Sequence, residues 1–216
     1  MVSRRLRVER PTRIVFATGN QGKMNEIREI MADFPVTIVS MKEAGISVDV
    51  DENGSSFMEN SFIKAEAVAQ KCRELGYEGD IVLADDSGLV VDALGGEPGI
   101  YSARYMGEDT PYSIKNAKII ERMEGVKEDE RSARFVCAIA CVMPDGTHLE
   151  SEAAYEGAIG YEEKGEHGFG YDPIFYLPDR GCYSAELDPD EKNRISHRGK
   201  ALRLMRDKLA GYFDIG

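Results

Sequence analysis

Tryptophan is absent from this chain, and histidine is nearly so, with His148, His167 and His197 the only three in 216 residues. None of the three pairs with a cysteine at zinc-ligand spacing and there is no CxxC, which excludes the common structural zinc motifs. No apolar run approaches the roughly 18 residues that a membrane-spanning helix needs. The four cysteines do not read as a disulfide framework. Cys137 and Cys141 share the apolar run FVCAIACVM, which reads as a buried strand. Strand spacing sets their Cα atoms roughly 13 Å apart, beyond the reach of a disulfide. Structural thiols in a reducing compartment are expected, and with them a cytoplasmic protein.

Positive charge is also scarce. Lys+Arg number 27 against 39 Asp+Glu, a formal net charge of −12. Such a balance disfavours broad nucleic-acid binding, which depends on neutralising many phosphates. A small anionic ligand would require a local basic cluster or a divalent metal. The exception is the N-terminus, MVSRRLRVERPTR, which is basic but lacks the apolar core of a secretory signal. Glu9 and Pro11 argue against a transit peptide, so residues 1–12 are expected as an arm before one domain, 13–216.

That domain has a globular balance, with 42% hydrophobic and 31% charged residues, and is long enough to bury a core without staples. Strand and helix periods alternate along it. RIVFAT (Arg13 to Thr18) and VTIVS read as strands, and Met24, Ile27, Ile30 and Met31 stripe an amphipathic helix between them. Phe57, Ser61, Ala65, Ala69, Cys72 and Leu75 mark a long helix stopped by Gly76. DIVLADD reads as a buried strand that turns at Ser87-Gly88. A helix is expected over Ile114 to Met123, then strands at 131–143 and 147–158 joined by the turn Pro144-Asp145-Gly146. Asp188-Pro189-Asp190-Glu191 has the form of a helix start, and Leu202, Met205 and Leu209 stripe the last helix. The pattern predicts an α/β fold with a mixed sheet and flanking helices.

Four groups carry chemistry-bearing residues. TGNQGK, comprising Thr18, Gly19, Asn20, Gln21, Gly22 and Lys23, sits at a strand-to-helix junction. A glycine turn there aims backbone N–H groups at a phosphate, with Lys23 adding a mobile charge; the alternative is a plain connection. It is not a Walker loop, because Met24 follows the lysine where Ser or Thr would hold magnesium. In DVDENGSSFMENSFIKA, Asp51 and Glu52 precede a helix on which Asn60 and Lys64, four apart, share a face. The acids suit a Mg²⁺ site or, alternatively, helix capping. LADDSGL places Asp85 and Asp86 at the expected strand end, where open α/β sheets bind ligands, and only one of the two can face a given site. A turn-capping aspartate is the alternative there. Lastly, GFGYDPIF sets Phe169 between glycines as a face for a flat base, and EKNRISHRGKAL supplies Lys192, Arg194, His197 and Arg198 as the local basic cluster. A charged surface helix would carry the same residues.

In order, TGNQGK, FMENSFIKA, LADDSGLVVDALGGEPGIYSARY, GFGYDPIF and EKNRISHRGKAL resemble the inosine triphosphate pyrophosphatase family of non-canonical purine NTP pyrophosphatases. The resemblance runs from about Arg13 to Tyr212; the basic arm lies outside it, and Glu156 to His167 carries no motif. It implies a long mixed sheet with two lobes around a central nucleotide cleft, and a homodimer. It also implies Mg²⁺-dependent hydrolysis of ITP, dITP and XTP to the monophosphate and pyrophosphate. By position, Thr18 to Lys23 resemble the triphosphate loop, and Glu52 and Asp86 the magnesium-associated carboxylates. Asp86 resembles the general base, with Lys23 and Lys64 as phosphate-contacting lysines. Ser87, Phe169, Gly170, Tyr171, Asp172, Lys192, His197 and Arg198 match substrate-binding positions. A Maf-like pyrophosphatase of modified or pyrimidine nucleotides, or a non-catalytic nucleotide-binding protein, are the alternatives; no nucleic-acid or membrane partner is expected.

Overall fold

The computed structural model describes residues 12–213, so the expected N-terminal arm lies outside the described residues except for Thr12. Seven strands form one sheet: β1 (Thr12–Phe16), β2 (Val36–Ser40), β3 (Ile81–Val91), β4 (Ser132–Val142), β5 (His148–Ile159), β6 (Phe175–Leu177) and β7 (Cys182–Tyr183). Their order is β2-β1-β3-β4-β5-β6-β7. β1 lies parallel to both β2 and β3, while β5–β6 and β6–β7 pair antiparallel, so the sheet is mixed as expected. The helices are α1 (Gln21–Ile30), α2 (Phe57–Glu74), α3 (Tyr112–Arg122), α4 (Pro189–Ile195) and α5 (His197–Phe213). No helix among the described residues is long and apolar enough to cross a membrane.

The chain divides into two compact units. The first holds residues up to Asp86, Ala138–Glu152 and those from Ala201 on; the second holds Ser87–Cys137 and Ala153–Lys200. In the first, α2 lays Ala65, Val68, Ala69 and Cys72 against Val15, Ala17, Val82, Ala84, Ala140 and Val142. The helical period of the former set and the period of two in β1 and β3 make these residues face one another. The turn at Pro144 to Gly146 forms as expected, with Gly146 at φ 84° and the Gly146 N–H donating to the Met143 carbonyl at 2.9 Å. In the second unit the core is more aromatic. Phe135, Tyr155 and Phe175 pack with Leu89, Val91, Ile119 and Met123, and the Phe135 and Phe175 rings lie 4.5 Å apart.

One expectation is corrected. β3 does not turn at Ser87-Gly88 but runs unbroken to Val91. Apolar residues lie on both sides of the Asp-Asp-Ser-Gly segment, and Ile81 to Ala84, Leu89 and Val91 are all buried, so the strand gains by continuing. Asp85 and Asp86 therefore sit mid-strand. The C-terminal basic segment spans two helices, α4 ending at Ile195 and α5 beginning at His197. Ser196 makes the break, its hydroxyl accepting from the Gly199 N–H at 3.1 Å as an N-cap does. Gly199 permits the close approach, since a Cβ there would meet the Asn193 carbonyl oxygen at 1.8 Å. No disulfide joins the four cysteines, and burial pushes Cys72 up to about 11 and Cys141 up to about 12.

Candidate active site

The first unit gathers the proposed phosphate and metal residues on β3, α1 and α2. Alternation along β3 separates the aspartates. Asp85 is 1% exposed and takes Lys23 Nζ at 3.0 and 2.9 Å on its two oxygens. Asp86 takes the Asn60 amide at 3.0 Å on Oδ2. Lys23 is thus fixed rather than mobile, because a buried carboxylate demands a cation. One helical turn along α2 from Asn60, Lys64 Nζ lies 3.0 Å from Glu52 Oε2 and donates to the Asp85 carbonyl at 3.1 Å. The shared face expected for Asn60 and Lys64 is the face turned to β3.

Helix capping does not explain Glu52. The cap of α2 is Ser56, which accepts from the Glu59 N–H at 3.1 Å, while Glu59 Oε2 accepts from Ser55 N and Oγ. Asn60 Oδ1 holds the Gly54 N–H at 2.8 Å, so one buried amide ties the acidic loop to the carboxylate of Asp86. Burial raises the pKa of Asp86; the Asn60 bond and the Lys64 charge oppose this, while the neighbouring Glu52 charge adds to it. Among the described residues no three His, Cys, Asp or Glu side chains are grouped to hold a metal. Glu52 and Asp86, whose charges repel one another, are hard oxygen donors that could hold a divalent cation.

The loop ahead of α1 is ordered by its own side chains. Thr18 Oγ1 accepts from the Asn20 N–H at 3.1 Å, Asn20 Oδ1 caps the Lys23 N–H at 3.2 Å, and Gln21 bonds Asn25 at 2.9 Å. Gly19 is exposed with nothing within 4 Å of a hypothetical Cβ, and Gly22 lies in the first turn of the helix. The turn therefore presents backbone at the positive end of α1.

The second unit gathers the proposed base-binding residues. Phe169 is 37% exposed, and Lys192 Nζ and the Arg198 guanidinium stand 5.1 and 5.5 Å from its ring centre. Asp172 is buried: Oδ2 accepts from Lys192 Nζ at 2.6 Å and from the Phe169 N–H at 2.8 Å, and Oδ1 from Ser184 at 2.8 Å. Gly168, at φ 79°, cannot carry a side chain, since a Cβ would meet Asp172 Oδ2 at 2.4 Å. Tyr171 is 3% exposed and donates its hydroxyl to the Ser102 carbonyl at 2.7 Å. Asp172 and Tyr171 thus support the loop from behind, and Phe169 is its exposed aromatic. His197 stacks on Phe135 at 4.9 Å and 14°, and Arg198 Nη2 donates to Ser87 Oγ at 2.9 Å. Arg194, on α4, is exposed.

Asn60, Ser184 and Asn116, which bonds the Gly170 carbonyl at 3.2 Å, hold these groups without having been singled out as ligands. Asn60 carried a spacing signal. A buried asparagine in α3 carried none. The Ham1 family model matches residues 14–208.

The chain belongs to the Ham1 family. It is 46% identical over 199 residues to the dITP/XTP pyrophosphatase of Clostridium perfringens, covering 92% of this chain and 98% of that protein. To the dITP/XTP pyrophosphatase of Geobacillus kaustophilus it is 48% identical over 195 residues, covering 90% and 93%. Its fold is similar to that of the HAM1 protein from Coxiella burnetii, with TM-score 0.82, 39% identity and coverage of 93% and 99%. The Ham1 protein of Staphylococcus aureus is similar at TM-score 0.81 and 40% identity, with the same coverage.

Proposed function

We propose that this Ham1-family chain is an enzyme that hydrolyses the non-canonical purine triphosphates ITP, dITP and XTP to the nucleoside monophosphate and pyrophosphate. The observation that carries the reading is the pairing of Lys23 and Lys64 with Asp85 and Glu52 around the mid-strand carboxylate Asp86. The relatives' activity favours this over a Maf-like or a non-catalytic reading.

The triphosphate is assigned to Thr18 to Lys23 and to Lys64, whose charges offset the charge that develops on leaving pyrophosphate. Water attacks the α-phosphorus, the bond to the bridging oxygen breaks, and Asp86 accepts the proton of that water. Mg²⁺, held by Glu52 and Asp86, would neutralise phosphate charge and lower the pKa of water. The base is assigned to Phe169 for stacking, to His197 and Arg198 as donors to the purine 6-oxygen, and to Lys192 and Ser87 as neighbours. Adenine offers an amino group in place of that oxygen, leaving a donor unpaired at about 1–3 kcal/mol. One domain with two lobes, a homodimer and a cytoplasmic location complete the proposal.

The test is pyrophosphate release from ITP, XTP, dITP, GTP, ATP and TTP with Mg²⁺ and with EDTA. Metal-dependent turnover of the first three is expected. Turnover of TTP in their place would support the Maf-like class, and none at all a binding protein.

A further inference from the structure

Helix α3 buries the wrong residues for a simple amphipathic helix: Lys115 and Asn116 are each 1% exposed, while Ile114 beside them is 51% exposed. A buried ammonium and a buried amide are costly unless their donors are used. Both are spent on loop carbonyls. Lys115 Nζ donates to the Ala103 carbonyl at 2.5 Å. Asn116 Nδ2 donates to the Gly170 carbonyl at 3.2 Å and to Glu163 Oε1 at 2.7 Å. One turn earlier on the same face, the Tyr112 ring meets Tyr171 edge-on at 5.2 Å.

The Gly170 carbonyl belongs to the Gly170–Tyr171 peptide group, one residue beyond Phe169. Gly168 and Gly170 flank that aromatic at φ 79° and 70°, a backbone that resists little on its own. Asp172 holds the Phe169 N–H on one side, and Asn116 holds the carbonyl of Gly170 on the other. Asn116 Oδ1 meets no donor among the described residues, so the plane of the amide is set by its two N–H acceptors, one of them the exposed carboxylate of Glu163. Glu163 lies in the segment 156–167, which carries no motif in the sequence.

We infer that Asn116, oriented by Glu163, is a positioning residue that fixes Phe169 through the Gly170 carbonyl and so sets affinity for the base. The inference rests on the reading of Phe169 as the base platform. Neither residue is assigned a contact with substrate.

The experiment takes the full chain as wild type, Glu163→Ala, Glu163→Gln and Asn116→Asp. It reads KM and kcat for ITP with Mg²⁺, amide hydrogen exchange of residues 168–172 without nucleotide, and Tm. Glu163→Ala should raise KM about fivefold with kcat unchanged, as loss of one charge-assisted bond behind the platform would. Exchange at 168–172 should quicken while Tm holds. Glu163→Gln, which keeps the acceptor oxygen, should return KM towards wild type. Asn116→Asp, which removes both donors at constant shape, should exceed Glu163→Ala. Wild-type KM and unchanged exchange in Glu163→Ala would overturn the inference, whether or not Asn116→Asp folds. If wild type itself releases no pyrophosphate, the functional reading fails. Exchange at 168–172 then decides the positioning role alone.

Discussion

The two units meet the problem of binding an anion to an acidic chain differently. In the first, Lys23 is matched by Asp85 and Lys64 by Glu52, at 2.9 and 3.0 Å. In the second, Lys192 is also paired, with buried Asp172 at 2.6 Å, but it and Arg198 converge on the exposed Phe169 ring. Prepaired lysines keep a net charge of −12 from collecting uncompensated local charge, and they can exchange partners when phosphate arrives with a divalent cation for the carboxylates. A ring flanked by cations needs no exchange of partners, because a neutral base stacks on it directly. The first arrangement suits chemistry on phosphate, the second recognition of a base.

Asp86→Asn separates the two most strongly. It should lower kcat by roughly 10²–10⁴-fold, the range for loss of a general base, with KM and Tm little changed in a kinetic and thermal-melt series. Near wild-type turnover would remove Asp86 from that role. Lys23→Ala should cost stability as well as activity, because buried Asp85 loses the ammonium that both its oxygens take. A loss of about 3–5 kcal/mol translates into a fall in Tm on the order of 10 °C for a chain of this size, read by calorimetry. Unchanged melting would show that the pair is not needed for folding. Phe169→Ala should raise KM for ITP about tenfold and leave kcat nearly intact, the size of one lost stack; a fall in kcat alone would place the ring in the chemistry.

The sequence made the first group more legible than the second. Spacing of four put Asn60 and Lys64 on one face, and strand alternation separated Asp85 from Asp86 before any contact was known. Ser87-Gly88 misled because a Ser-Gly pair after two carboxylates has the local form of a turn, whereas the burial of Leu89 and Val91 keeps β3 running. In the second group, Tyr171 and Asp172 share a motif with Phe169 yet point into the protein, which composition does not reveal. Ser196 ends α4 with an ordinary Ser-x-x-Gly cap that the surrounding charge run obscured. Lys115 and Asn116 left no signal, since a polar residue on a helix reads as exposed until its acceptor, a carbonyl from a distant loop, is known.

The division of tasks between the two groups is tested most directly by one ratio, kcat/KM for ITP over kcat/KM for ATP, in wild type, Lys64→Ala and Arg198→Ala. Lys64→Ala should lower both terms together and leave the ratio at its wild-type value. Arg198→Ala should drive it down by about 10- to 100-fold, as loss of a donor to the 6-oxygen would. A ratio that moves with Lys64, or one that survives removal of Arg198, would contradict the assignment.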